Sequence, residues 1–204
     1  LVEILDYICS QGNGEPKIKQ VKSFASVKSI LNKPLEELRR LKESGLTEVY
    51  VGFESGDDYV LRNINNGITG RDSLTAGLKL NESGISTHAS LIWGIGGTER
   101  SEQHAIATAE LLNQFNPGNI ILNHLFYPNL MMERCAGYAL PTPRQLVEEA
   151  HLLLEQLTTS SIFLVTEGPC MEFPIEGQLP QDKEKIKKGI EEIVEENNPR
   201  SCAF

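Results

Sequence analysis

Twice, at residues 43–46 and 82–85, the chain reads Glu-Ser-Gly and then an aliphatic residue (ESGL, ESGI). Each time a helical pattern stops at the glycine and a strand pattern begins. Strand-like apolar runs recur near Lys19 ("KQVKSFASV"), Thr47 ("TEVYVGFES"), Ser86 ("STHASLIWGIG"), Asn119 ("NIILNHLFYP") and Ser161 ("SIFLVTE"). Between them lie "PLEELRRLKESG", "TGRDSLTAGLKLNESG", "SEQHAIATAELLNQFNP" and "TPRQLVEEAHLLLEQL", each with apolar residues on one helical face. Strand, helix, strand at this spacing predicts parallel strands joined by crossovers, with right-handed connections. The fold class is therefore α/β, as an open sheet or a (β/α) barrel. In both, ligands meet the carboxyl ends of the strands.

Local punctuation supports the helices. Pro34 falls in a first turn and Gly45 at a stop; Thr69, with Asp72 three residues on, forms an N-terminal signature, and Gly84 and Pro117 mark ends. The segment after residue 165 differs. "FPIEGQLPQDKEKIKKGIEEIVEENN" reads as a proline-punctuated loop and a charged helix with Ile186, Ile190 and Ile193 on one side. The expected division is a main unit over 1–165 and a carboxyl-terminal extension over 166–204.

Composition narrows the function classes. With 204 residues and a net charge of −9, the chain has a core of ordinary size and no overall basic character for nucleic acid. No apolar run reaches the ~18–20 residues of a membrane span. The four cysteines (9, 135, 170, 202) form no CxxC or CxxxCxxC, which argues against a disulfide scaffold and for a cytoplasmic setting. The helical spacing already present from Leu1 suggests a piece of something longer.

The polar residues at the strand ends are the functional candidates. "VYVGFESG" (49–56) runs a buried strand into Glu54 and Ser55. A carboxylate there can accept both hydroxyl protons of a ribose diol, or it can cap the helix that follows or pair with an arginine. "GIGGTERSE" (94–102) supplies Gly94, Gly96 and Gly97 before a helix. Such glycines either let backbone amides approach a ligand or make a tight turn, and the two readings weigh evenly. No GKS or GKT follows, which excludes a Walker loop. The fourth run ends near His124, Leu125, Tyr127 and Asn129. The histidines (88, 104, 124, 151) form no HxH or HxxxH pair; 104 and 151 read as surface or packing residues, while 88 and 124 lie on strands.

The ordered set "VGFESG…VLRNINNGIT", "ESGI", "GIGGTERSE" and "LLNQFNP" resembles the radical S-adenosylmethionine superfamily, over roughly residues 1–195. It is most similar to the branch of the oxygen-independent coproporphyrinogen oxidases and the elongator-type enzymes. The resemblance implies a six-stranded partial (β/α) TIM-type barrel, of which this chain holds the carboxyl-terminal part. It implies S-adenosylmethionine across the strand ends, with Glu54 and Ser55 on its amino-acid or ribose portion. Gly94, Gly96 and Gly97 would support the adenine, and Leu125 to Tyr127 would complete the slot. The family's 4Fe–4S cluster is held by CxxxCxxC, which is absent, so its ligands are not expected in this chain. Asn66 stands where a basic residue is expected, with Arg62 or Arg71 as substitutes, and "PNLMMERC" replaces a family-like "PGT". The expected partners are that cofactor and a small substrate, with no membrane. The alternatives are a non-catalytic barrel remnant serving as a binding module, and an unrelated phosphate-binding (β/α) barrel.

Overall fold

The computed structural model describes residues 1–10, 18, 20–125, 128–135, 137–167 and 172–196. Six strands form one sheet in sequential order: β1 (Val21–Ser26), β2 (Leu46–Glu54), β3 (Ser86–Ile92), β4 (Asn119–Asn123), β5 (Ile162–Glu167) and β6 (Glu172–Gln178). β1 to β5 are parallel, as the alternating pattern requires. The connecting and flanking helices are α1 (Val2–Ser10), α2 (Val27–Leu31), α3 (Leu35–Glu43), α4 (Asp58–Asn63), α5 (Gly70–Ser83), α6 (Gly97–Phe115), α7 (Pro128–Arg134), α8 (Pro143–Gln156) and α9 (Lys183–Glu196).

The helix ends follow their local chemistry. Thr69 and Asp72 close a reciprocal capping box at the start of α5, and Gly84 ends that helix in the left-handed region at φ 78°. Thr142 and Gln145 do the same for α8, with Pro143 in its first turn. Pro34 sits one position earlier than its sequence context suggests, as the N-cap of α3.

The segment after 165 departs from the expected loop. Glu172–Gln178 is a strand, antiparallel to β5. Its proline concealed it: Pro174 cannot donate to a ladder, yet an edge strand tolerates it. Gly177 lets the strand meet α9, since a Cβ there would lie 2.8 Å from Ile186. Ile186 and Ile190 are buried, so the apolar stripe of α9 belongs to the common core, and its charged residues face outward.

Period two along the strands sorts side chains onto two faces. Val49, Val51 and Phe53 of β2, Ala89 and Leu91 of β3, Ile120 and Leu122 of β4, and Phe163 and Val165 of β5 are buried in one core with residues of α3, α5, α6, α8 and α9. Phe53 meets Phe115 of α6 with ring centroids 5.3 Å apart. The opposite face carries Lys22, Phe24, Glu48, Tyr50, Gly52, Glu54, His88, Ser90, Asn119 and Asn123 by register. Phe24 is 76% exposed on the edge strand of this face, whereas His88 and Ile121 further in are buried.

Candidate functional site

The carboxyl edge of β2 carries the most unusual backbone among the strand ends. The Ser55 amide donates to the Phe53 carbonyl at 2.7 Å, which closes a three-residue turn with Glu54 at its apex and φ 64°. A turn of this hand is rare and strained for a residue with a side chain. Gly52 makes room beneath it, because a Cβ there would lie 2.3 Å from a Glu54 carboxylate oxygen. Among the described residues Glu54 has no hydrogen-bond or ion-pair partner, and its side chain is half-buried. Burial alone pushes its carboxyl up to about 7.

Two structural explanations for Glu54 fall away. The cap of α4 is Asp57, whose carboxylate accepts the Tyr59 amide at 2.7 Å. The arginine at this corner, Arg100, donates to Asp57 and lies over the Tyr59 ring. Glu54 is left as a desolvated acceptor at a strand end, suited to hydroxyl or ammonium donors.

Ser55 points the other way. It is fully buried, with its hydroxyl 2.7 Å from Nδ1 of His104 and accepting the Asp57 amide at 2.9 Å. His104 therefore lies in a buried polar cluster, not on the surface. The glycine turn is likewise tied inward. The Gly94 amide donates to Glu149, the Gly97 amide to the Gly94 carbonyl, and the Thr98 amide to the Ala139 carbonyl. Tyr138 donates its hydroxyl to the Gly94 carbonyl, and burial together with the Glu149 charge pushes that hydroxyl up to about 12. Gly94 and Gly97 have φ of 76° and 64°, and Gly96 fits against the Arg100 carbonyl. The Gly94, Gly97 and Thr98 amides thus meet the chain's own acceptors, which favours the tight-turn reading at these three positions.

Leu125 is half-buried just beyond β4, and Tyr127 lies outside the described residues. His88 is buried on the face opposite the main core, where it contacts Glu48 and Asn119 and stacks on Tyr50 at 4.2 Å between centroids. Burial pushes the Glu48 carboxyl up, but Lys22 and His88 outweigh it and hold the group below its ordinary value. His124 faces Trp93, with centroids 5.0 Å apart. Arg62 and Arg71 are exposed on α4 and α5. A hollow of about 90 Å³ lies beside the glycine turn, bordered by Tyr59, Ile95, Gly97, Arg100, Cys135 and Tyr138. A larger one of about 650 Å³ lies between α8 and α9, away from the strand ends.

A 4Fe–4S cluster does not fit the described residues. No group of three or more metal-ligating side chains comes together among them. Cys9 donates to the Ser44 carbonyl and Cys135 to that of Asn63, while Cys170 and Cys202 lie outside the described residues.

The family model for the radical SAM superfamily matches residues 2–111, more than half of the chain. The chain belongs to the radical SAM superfamily. Several solved structures share its fold. The archaeal Elp3 of Methanocaldococcus infernus, in a form with an N-terminal deletion, superposes with a TM-score of 0.62 at 11% identity over 96% of this chain and 49% of that one. HydG, a maturase of the FeFe-hydrogenase, gives 0.55 at 12% over 93% and 39%. Coproporphyrinogen III oxidase HemN of Escherichia coli, a radical SAM enzyme, gives 0.54 at 17% over 67% and 32%. The chain thus spans about a third to a half of the length of these proteins, and the domain seen here is a partial TIM-type barrel. No curated protein sequence matches the chain. No helix among the described residues is long and apolar enough to cross a membrane.

Proposed function

We propose that this chain supplies the S-adenosylmethionine-binding edge of a radical enzyme that reductively cleaves that cofactor, acting on a small molecule. The observation that carries the proposal is Glu54: a desolvated carboxylate, held at a strained strand end, with no partner among the described residues. Its role is to accept hydrogen bonds from the ribose hydroxyls or the amino group of the cofactor. The Gly94–Gly97 turn and Leu125 flank the adenine by packing; Tyr127 is assigned to the same slot and Ser55 to holding the turn. Residues 1–165 form the barrel portion and 166–204 an extension that buttresses it. When bound and reduced by one electron, S-adenosylmethionine supplies the carbon radical typical of this superfamily. The 4Fe–4S cluster is assigned to ligands outside this chain, in a cytoplasmic setting.

Calorimetric titration with S-adenosylmethionine tests the site. Glu54→Ala should weaken binding by about 1–3 kcal/mol and leave the fold intact. Equal affinity for the two proteins would sink the assignment. Asn66, where a basic residue is expected, and the altered "PNLMMERC" stretch motivate a second reading, a non-catalytic barrel that only binds; anaerobic release of 5′-deoxyadenosine by the natural protein separates the two. The phosphate-barrel alternative loses its support, since the chain belongs to another family and the Gly94, Gly97 and Thr98 amides are engaged internally.

A further inference from the structure

We propose that Ser55, His104 and Glu149 form a positioning relay that locks the Glu54 turn and the Gly94 turn to one another. The inference rests on the cofactor role of Glu54. A strained apex persists only where its surroundings over-determine it, and here α6 provides the constraint. Ser55 Oγ meets His104 Nδ1 at 2.7 Å and accepts the Asp57 amide. The Gly56 amide donates to Thr108 Oγ1 at 2.9 Å. Gly56 itself lies so close to α6 that a Cβ would fall 2.3 Å from the Ala107 carbonyl oxygen. The three residues that follow the apex are therefore fixed to one helix.

The same histidine reaches the neighbouring strand end. His104 Nε2 lies 3.7 Å from Glu149 Oε1, and that oxygen accepts the Gly94 amide at 2.8 Å. The other Glu149 oxygen accepts from the Ser101 hydroxyl. With the Ser55 hydroxyl donating to Nδ1, Nε2–H faces Glu149 at a distance beyond a hydrogen bond, so the link on that side is an electrostatic and packing contact. The order Ser–His–Glu matches that of a hydrolase triad, but all three side chains are at most 3% exposed. No substrate reaches the Ser55 oxygen, so nucleophilic attack is excluded on access. What the chain of contacts does is fix the relative position of two strand ends that flank one proposed ligand.

The test is a double-mutant cycle read by S-adenosylmethionine calorimetry in the full chain, with thermal melts alongside. Ser55→Ala should weaken binding about tenfold, the loss of about one buried hydrogen bond expressed through Glu54. Glu54→Ala placed in the Ser55→Ala background should then cost less than about threefold, because the two act as a unit. Gly84→Ala, at the distant end of α5, should lower the melting temperature without moving affinity. Ser55→Cys and His104→Gln repeat the comparison should Ser55→Ala fail to fold. Hydrogen exchange over residues 53–57 without any ligand should rise in each relay variant. The proposal is overturned if relay variants lose stability while affinity stays within about twofold, or if the Glu54 and Ser55 losses multiply. If Glu54→Ala alone leaves affinity unchanged, the cofactor role of Glu54 fails instead, and the exchange data still report on the relay.

Discussion

One oxygen of the Glu149 carboxylate, on α8, accepts the backbone amide of Gly94 at 2.8 Å, across 55 residues of sequence. The pair joins the end of β3 to a helix four elements further on. Because Glu149 is only 3% exposed, its charge is held by fixed donors, with the Ser101 hydroxyl as the second. Replacing it leaves donors buried without acceptors, which is costlier than losing the hydrogen bonds themselves. Glu149→Ala should destabilise the fold by about 2–4 kcal/mol. Glu149→Gln, whose amide oxygen can still accept from Gly94, should lose about half as much. Urea denaturation of the two variants checks the ordering, and equal losses would show that the Gly94 bond contributes little.

Burial of Glu54 also gives a pH dependence of stability. Its carboxyl is pushed up to about 7 in the folded chain from an ordinary value of 4.5. Between those values the folded state keeps a proton that the unfolded state has lost, so stability falls as pH rises through this window. At one decade per unit the effect is at most ~3 kcal/mol, less where solvent reaches the side chain. Thermal melts at pH 5 and pH 8 should show a drop that Glu54→Gln abolishes. A drop of equal size in the variant would assign the effect to other groups.

Cofactor affinity should run in the opposite direction. A carboxylate accepts hydrogen bonds better than a carboxylic acid, so binding favours the form that has lost its proton. Affinity for S-adenosylmethionine should rise as pH passes through the Glu54 transition, and binding there should release a proton. Calorimetry in buffers of different ionisation heat measures that release. Glu54→Gln should remove the proton release while retaining weak binding, and an unchanged release in the variant would trace it to the cofactor's own amine.

Much of this was legible in the sequence because it depends on local chemistry. The capping box of Thr69 and Asp72, the Gly84 stop and the strand ending in Glu54 are each written within a few residues. The antiparallel β6 was hidden because Pro174 reads as a breaker, and only its place at an edge makes it tolerable. The direction of Ser55 was also hidden: two neighbours in sequence take opposite sides of the sheet at a turn, and which one faces His104 depends on contacts 49 residues away. One signal was available. Glu149 interrupts the apolar stripe of Leu146, Ala150, Leu153 and Leu154 on α8, and an acid on a buried face needs partners. The rest of the glycine turn's engagement could not have been read the same way, because its partners are the Ala139 carbonyl, which accepts from Thr98, and the Tyr138 hydroxyl, which donates to the Gly94 carbonyl, both from a distant segment.

Gly56 and Gly84 separate two reasons for a glycine. At Gly84 the backbone is left-handed, and the nearest side-chain atoms would lie 3.9 Å from an added Cβ, so strain is the only cost. Gly84→Ala should cost about 1 kcal/mol. At Gly56 an added methyl would lie 2.3 Å from the Ala107 carbonyl oxygen and 2.7 Å from the Thr108 Cα, both backbone atoms of α6. Neither can move without shifting the helix that carries His104, Thr108 and Arg100. Gly56→Ala should therefore cost more than Gly84→Ala, about 2–3 kcal/mol as overpacking against a rigid element. It should also loosen the Glu54 turn, so its cofactor affinity should fall while that of Gly84→Ala holds. Denaturant melts and calorimetry on the two variants give both comparisons, and equal stability losses would mean that α6 yields at Ala107 more easily than its packing implies.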